Sequence, residues 1–215
     1  MTSAELAARL RLIVITDPDL ARPRSVPDVV AAALAAGAPA VQIRAKGASA
    51  RELLELGRAI LPLARERNAL CFVNDRLDVA LALGADGVHL GPEDLPVAAA
   101  RRAMGEGFLI GASTDDPEVA GRLVAEGADY LGCGAVYATT TKHDAGEVIG
   151  LAGLGRVARA VRVPVVGIGG ITVEHSAEAA TTGAAGVAVV GAVMAAGDVG
   201  GTVRALLAPW GPRLS

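Results

Sequence analysis

The feature that most constrains this chain is a regular alternation of two kinds of segment. Short runs of β-branched and apolar residues recur at Arg11–Thr16, Ala40–Arg44, Leu70–Asn74, Gly87–Leu90, Phe108–Ala112, Tyr130–Cys133, Val163–Ile168 and Gly186–Val190. Ala/Leu-rich segments with helical spacing lie between them. Strand and helix in strict alternation imply parallel strands joined by crossovers. A weak repeat agrees: Ala36-Gly37-Ala38, Leu83-Gly84-Ala85-Asp86, Glu126-Gly127-Ala128-Asp129 and Thr182-Gly183-Ala184 each precede a strand run, where a glycine can take the left-handed conformation that ends a helix. The eight runs match the closure number of an α/β barrel, so the expected fold is a (β/α)8 TIM barrel. With 215 residues and no Pro/Ser-rich or charged divide, one domain spanning 1–215 is expected. An open doubly wound sheet is the runner-up, because strand number read from one sequence can miss by one or two.

Composition narrows the function. Hydrophobic residues make up 52% of the chain but aromatics only 2%, so the core must be aliphatic, as stacked barrel layers are. A net charge of −3 without a lysine-rich block offers no electrostatic footprint for nucleic acid. No apolar stretch approaches the roughly 20 residues of a membrane span, and the N-terminal apolar run has no cleavage site behind it. A cytoplasmic protein acting on small molecules is expected, with homo-oligomerisation left open. Cys71 and Cys133 each lie in a strand-like apolar run, which reads as two buried thiols rather than a disulfide.

In a barrel the working face is built by the loops after the strands, and the unusual polar clusters fall there. After strand two, alternation sends Gln42 and Arg44 to one side and the loop carries Lys46, a set that can clamp an anion or can be an exposed strand end. Asn74-Asp75-Arg76 follows strand three, and Asp94 follows strand four. Two carboxylates on neighbouring strand ends suit Mg2+, which takes one or two carboxylates, waters and phosphate oxygens. Either aspartate could instead cap its helix. Ser113 after strand five can meet an anion or cap a helix. The long loop after strand six runs through Thr139, Thr140, Thr141, Lys142 and His143, more hydroxyls than turn chemistry requires. Gly169-Gly170 after strand seven and Val190-Gly191 after strand eight allow backbone N–H groups to approach a phosphate, although a glycine pair also serves a tight turn. Of the histidines, His89 reads as a satisfied structural residue, His143 as a possible ligand contact, and His175 as a solvated helix residue.

Taken in order, VQIRAK, NDR, DGVHLGPEDLP, GAST, DYLGCGAVYATTTKHDAG, VPVVGIGGI and GVAVVGAV resemble the successive signatures of the thiamine-phosphate synthase family, from about Leu12 to about Met194. The resemblance implies a transferase that joins hydroxymethylpyrimidine diphosphate to a thiazole phosphate, with one Mg2+ per subunit. It assigns Gln42, Ile43, Arg44, Ala45, Lys46, Asn74, Ser113 and Lys142 to the pyrimidine diphosphate, with Arg44, Lys46 and Lys142 as catalytic cations. It assigns Thr139, Thr140, Thr141, Gly170, Val190 and Gly191 to the thiazole phosphate, and Asp75 and Asp94 to the metal. Three positions depart from the family pattern: Ala45 where Glu is common, Ala138 where Pro is common, and Gly191 where Ser is common. The implied chemistry is dissociative, with diphosphate leaving a pyrimidine methylene cation that the thiazole nitrogen captures. Two alternatives remain: a thiazole tautomerase on the same fold, which would not need the carboxylate pair, and a barrel that binds thiamine precursors without turnover.

Overall fold

The computed structural model describes residues 1–139 and 147–211. Eight parallel strands, β1 (Leu12–Ile15), β2 (Ala40–Ile43), β3 (Leu70–Asn74), β4 (Gly87–Leu90), β5 (Leu109–Ser113), β6 (Tyr130–Cys133), β7 (Val165–Ile168) and β8 (Gly186–Val189), pair in sequence order. The ring closes where β1 pairs with β8, Ile13 opposite Ala188. This closure is the expected TIM barrel and removes the open doubly wound sheet.

The helices are α1 (Ser3–Arg9), α2 (Pro18–Ala21), α3 (Val26–Ala35), α4 (Ala50–Glu66), α5 (Leu77–Leu83), α6 (Val97–Met104), α7 (Pro117–Ala125), α8 (Gly150–Ala160), α9 (Val173–Ala179), α10 (Gly191–Met194) and α11 (Val199–Leu207). Each longer crossover helix turns an apolar stripe inward, and strand residues pointing outward meet it: Val41, Ile43, Val73, Val88, Ile110 and Leu131 share one buried cluster with Val30, Ile60, Ala100 and Leu154. Residues of the opposite parity fill the barrel: Ile13, Ile15, Ala40, Leu70, Phe72, Leu109, Tyr130, Val166 and Ala188, with Leu6 and Leu10 closing the N-terminal end. The period-two pleat therefore divides each strand between two cores.

The weak repeat has a structural basis. Gly37, Gly84, Gly127 and Gly183 all carry positive φ, at 102°, 70°, 108° and 90°, turning the chain from helix into strand. In the two copies that end in Asp, the aspartate locks onto the preceding strand twice. Asp86 donates its N–H to Cys71 O (2.9 Å) and accepts from Cys71 N–H (2.8 Å); Asp129 does the same with Ile110 (2.8 and 2.7 Å). β3, β4 and β6 have the expected limits, and the other strands differ from the sequence expectation by one or two residues. β7 begins at Val165 because Pro164 has no N–H to give the ladder, and its carbonyl instead accepts from Leu131 N–H. Both cysteines are free and buried, as expected.

Candidate active site

The site is built at the C-terminal mouth of the barrel, starting where β1 and β2 end. Thr16, fully buried, donates its hydroxyl to Arg44 O (2.7 Å) and accepts from Arg44 N–H (2.8 Å). This side chain replaces a ladder pair just where the strands separate, and so fixes the Arg44 backbone. Asp17 follows: one carboxylate oxygen caps α2 through the N–H groups of Asp19 and Leu20, and the other lies 3.5 Å from Arg44 Nη1. Arg44 and Asp17 side chains are only 19% and 16% exposed, and Arg44 Nη1 is buried without a hydrogen-bond partner among the described residues. An unmet buried donor costs about 1–3 kcal/mol, more for a charged group, so the arrangement is one that an incoming anion would relieve. Lys46 stands exposed two residues on. The pleat turns the side chains of Ile43 and Ala45 to the outer layer, where Ile43 is fully buried; these two can offer a ligand only backbone.

Inside the barrel, Gln42 is 3% exposed and its side chain hydrogen-bonds the phenol of Tyr130. Tyr130 OH lies 3.0 Å from His89 Nδ1, and His89 Nε2 lies 2.9 Å from Ser113 Oγ. His89 is thus satisfied at both ring nitrogens, as the sequence suggested. Burial pushes the Tyr130 phenol far above its ordinary range, while the Gln42 hydrogen bond acts in the opposite direction. Asn74 projects from the last position of β3, opposite His89.

Asp75 comes next, exposed, with φ of 62° and its N–H donated to His89 O (2.8 Å). It does not cap α5, whose N-cap is Arg76. Asp94 does not cap α6 either; its Oδ2 accepts from Gly91 N–H (2.7 Å) and folds the loop after β4. No cluster of three or more His, Cys, Asp or Glu forms among the described residues. Asp75 and Asp94 bring carboxylate donors alone, chemistry that fits Mg2+ completed by phosphate oxygens and water rather than a closed protein cage.

On the opposite rim the loops after β6 and β7 run together. Val136 N–H donates to Ile168 O and Tyr137 N–H to Gly169 O, which brings Tyr137 and Ala138 against Gly170. Gly170 has φ of 65°, and a Cβ there would fall 2.5 Å from Ala138 O; both the backbone angle and the contact demand glycine. Val190 and Gly191 open α10 after β8. Thr140, Thr141, Lys142 and His143 lie outside the described residues. His175 departs from the expectation of a solvated residue. It is half-buried, stacks on Tyr137 at 3.6 Å with rings 7° apart, and hydrogen-bonds Gly170 O (2.6 Å) through Nδ1. Tyr137 in turn donates its hydroxyl to Glu178.

The thiamine monophosphate synthase family model matches residues 12–193. Thiamine-phosphate synthase from Moorella thermoacetica is 47% identical over 195 residues, covering 91% of this chain and 93% of that protein. The chain belongs to the thiamine-phosphate synthase family. Membership makes it an enzyme of the transferase class in thiamine biosynthesis. Thiamine-phosphate synthase from Pyrococcus furiosus is 48% identical over 90% of this chain and 91% of its own. The solved thiamine phosphate pyrophosphorylase from Pyrococcus furiosus superposes with a TM-score of 0.85 at 46% identity, over 94% and 95% of the two chains. A 3-hexulose-6-phosphate synthase from Salmonella typhimurium, at 18% identity and a TM-score of 0.71 over 93% and 98% of the two chains, shares the barrel alone. No helix among the described residues is long and apolar enough to cross a membrane.

Within this family frame, the residues that sequence reading passed over are Thr16, Asp17 and Tyr130. Thr16 and Asp17 sit at the C-terminal end of a strand run, the signal that could have drawn attention to them. Tyr130 gave no such signal, because it begins its strand and reaches the site only across the barrel.

Proposed function

We propose that this enzyme joins hydroxymethylpyrimidine diphosphate to thiazole phosphate, releasing diphosphate, by a dissociative path. The observation that carries the reading is the buried, unmet Nη1 of Arg44 on the rim that also presents Lys46, Asn74, Ser113 and the two carboxylates. Arg44 and Lys46, with Lys142, hold the diphosphate and take up the negative charge that grows on it as the C–O bond to the pyrimidine methylene breaks. Gln42 and Asn74 orient the pyrimidine end, and Ser113 brings its hydroxyl to the diphosphate. Gly170, Val190 and Gly191, with Thr139, Thr140 and Thr141, hold the thiazole phosphate so that its ring nitrogen meets the methylene carbon from the β6–β8 side. Positioning of this kind raises the capture rate by holding the reacting atoms together. Asp75 and Asp94 would hold Mg2+, which when bound adds positive charge beside the leaving diphosphate. The electron-rich aminopyrimidine stabilises the cation, and no side-chain nucleophile is required. The free, buried cysteines suit a reducing compartment, and the cytoplasm is the proposed setting.

The test is formation of thiamine phosphate by the wild type, Asp75→Asn and Asp94→Asn, each with Mg2+ and with excess chelator. Each substitution is expected to slow turnover by about two or more powers of ten, the scale of losing a principal electrostatic stabiliser. Full wild-type activity in excess chelator would overturn the metal assignment. Isomerisation of a thiazole phosphate without coupling would favour a tautomerase instead.

A further inference from the structure

Four polar side chains link across the inside of the barrel and end at its mouth. Gln42, Tyr130, His89 and Ser113 come from β2, β6, β4 and β5, and link in that order. With the His89 ring neutral, its two contacts, 3.0 and 2.9 Å, allow two arrangements. In one, Tyr130 donates to Nδ1, the ring proton sits on Nε2, Nε2–H donates to Ser113 Oγ, and the Ser113 proton is left to point outward. In the other, Ser113 donates to Nε2, Nδ1–H donates to Tyr130, and Ser113 can only accept.

We propose that His89 and Tyr130 are positioning residues that hold the first arrangement, so that Ser113 presents its O–H as a donor to the substrate diphosphate. This rests on the reading that Ser113 faces the diphosphate. Two observations support it. The seat for the rings is purpose-built: a Cβ at Gly111 would fall 2.2 Å from Tyr130 Cζ and 2.5 Å from His89 Nδ1, and one at Gly132 would fall 3.0 Å from His89 Cε1. The chain also ends at the mouth, where only the first arrangement meets an anion with a charge-assisted bond. Bonds aligned donor to acceptor strengthen one another in a buried setting.

Long-range 1H–15N correlation on protein labelled at histidine nitrogen reads the tautomer directly, with His89 assigned by the signal lost in His89→Gln. We expect the proton on Nε2 in the wild type, and an Nδ1–H population in Tyr130→Phe, which keeps the ring against Phe72 (centroids 5.2 Å apart) but has no proton to give. Kinetically, Tyr130→Phe should lower kcat/KM for the pyrimidine diphosphate about tenfold, the scale of one hydrogen bond to a charged group, with the thiazole-phosphate KM unchanged. In the Ser113→Ala background the same change should cost less than about twofold, since coupled residues are not additive. A wild-type Nδ1–H tautomer, or additive losses in the double variant, overturns the proposal. If the tautomer is Nε2–H but Ser113→Ala leaves kcat/KM untouched, it is the Ser113–diphosphate contact that is wrong, and the aiming role falls with it.

Discussion

The carboxylate of Asp17 serves two structures at once: one oxygen caps α2, and the other faces Arg44 Nη1 at 3.5 Å across the gap between the ends of β1 and β2. Asp17→Asn separates the two duties. Asparagine caps a helix as well as aspartate, so stability should change by less than about 1 kcal/mol. The guanidinium loses its counter-charge and its fixed direction. We expect the KM for the pyrimidine diphosphate to rise several-fold with the thiazole-phosphate KM unchanged. Steady-state kinetics beside a urea titration checks this; unchanged kinetics would mean that Thr16 alone holds Arg44 in place.

Gly191 is the first residue of α10, where the backbone is helical rather than left-handed. Serine therefore fits without backbone strain, and its hydroxyl adds a donor where glycine offers only its N–H. Gly191→Ser is expected to lower the thiazole-phosphate KM several-fold and leave kcat nearly unchanged, the pattern of added uniform binding. A rise in that KM alone would show the serine to be a steric intrusion.

Burial pushes the thiols of Cys71 and Cys133 up to about 12, against about 8.5 in an unfolded chain. The native state keeps protons that the unfolded state releases, so this contribution is complete below about pH 8 and is lost as pH rises toward 12. Ellman's reagent at pH 8 should label neither cysteine in the folded protein and both in denaturant. The urea midpoint should fall between about pH 9 and 11, less so in Cys71→Ala and Cys133→Ala. Rapid labelling of the native protein would contradict this.

The barrel was legible because each strand carries its own local signal: β-branched runs such as Leu70–Asn74 need no distant partner to be read. The rim residues Gln42, Arg44, Asn74, Asp75 and Ser113 were legible for a related reason, since the topology sends every strand end to one face. What stayed hidden lies across the barrel. Tyr130 meets His89 from 41 residues away, and Asp17 meets Arg44 from a different strand end; no spacing rule connects either pair. His175 misled because a polar helix residue is ordinarily solvated, while here Tyr137 and the Gly170 carbonyl claim its ring. Asp75 and Asp94 looked as much like helix caps as metal ligands, and only the structure shows α5 and α6 starting without them.

The central claim, that this mouth couples the two substrates with loss of diphosphate, is tested most directly by 31P NMR of the purified enzyme with pyrimidine diphosphate, thiazole phosphate and Mg2+. The account predicts thiamine phosphate and free diphosphate appearing in equal amounts, and little diphosphate release when the thiazole phosphate is omitted. Both substrates persisting unchanged at high enzyme concentration would contradict it.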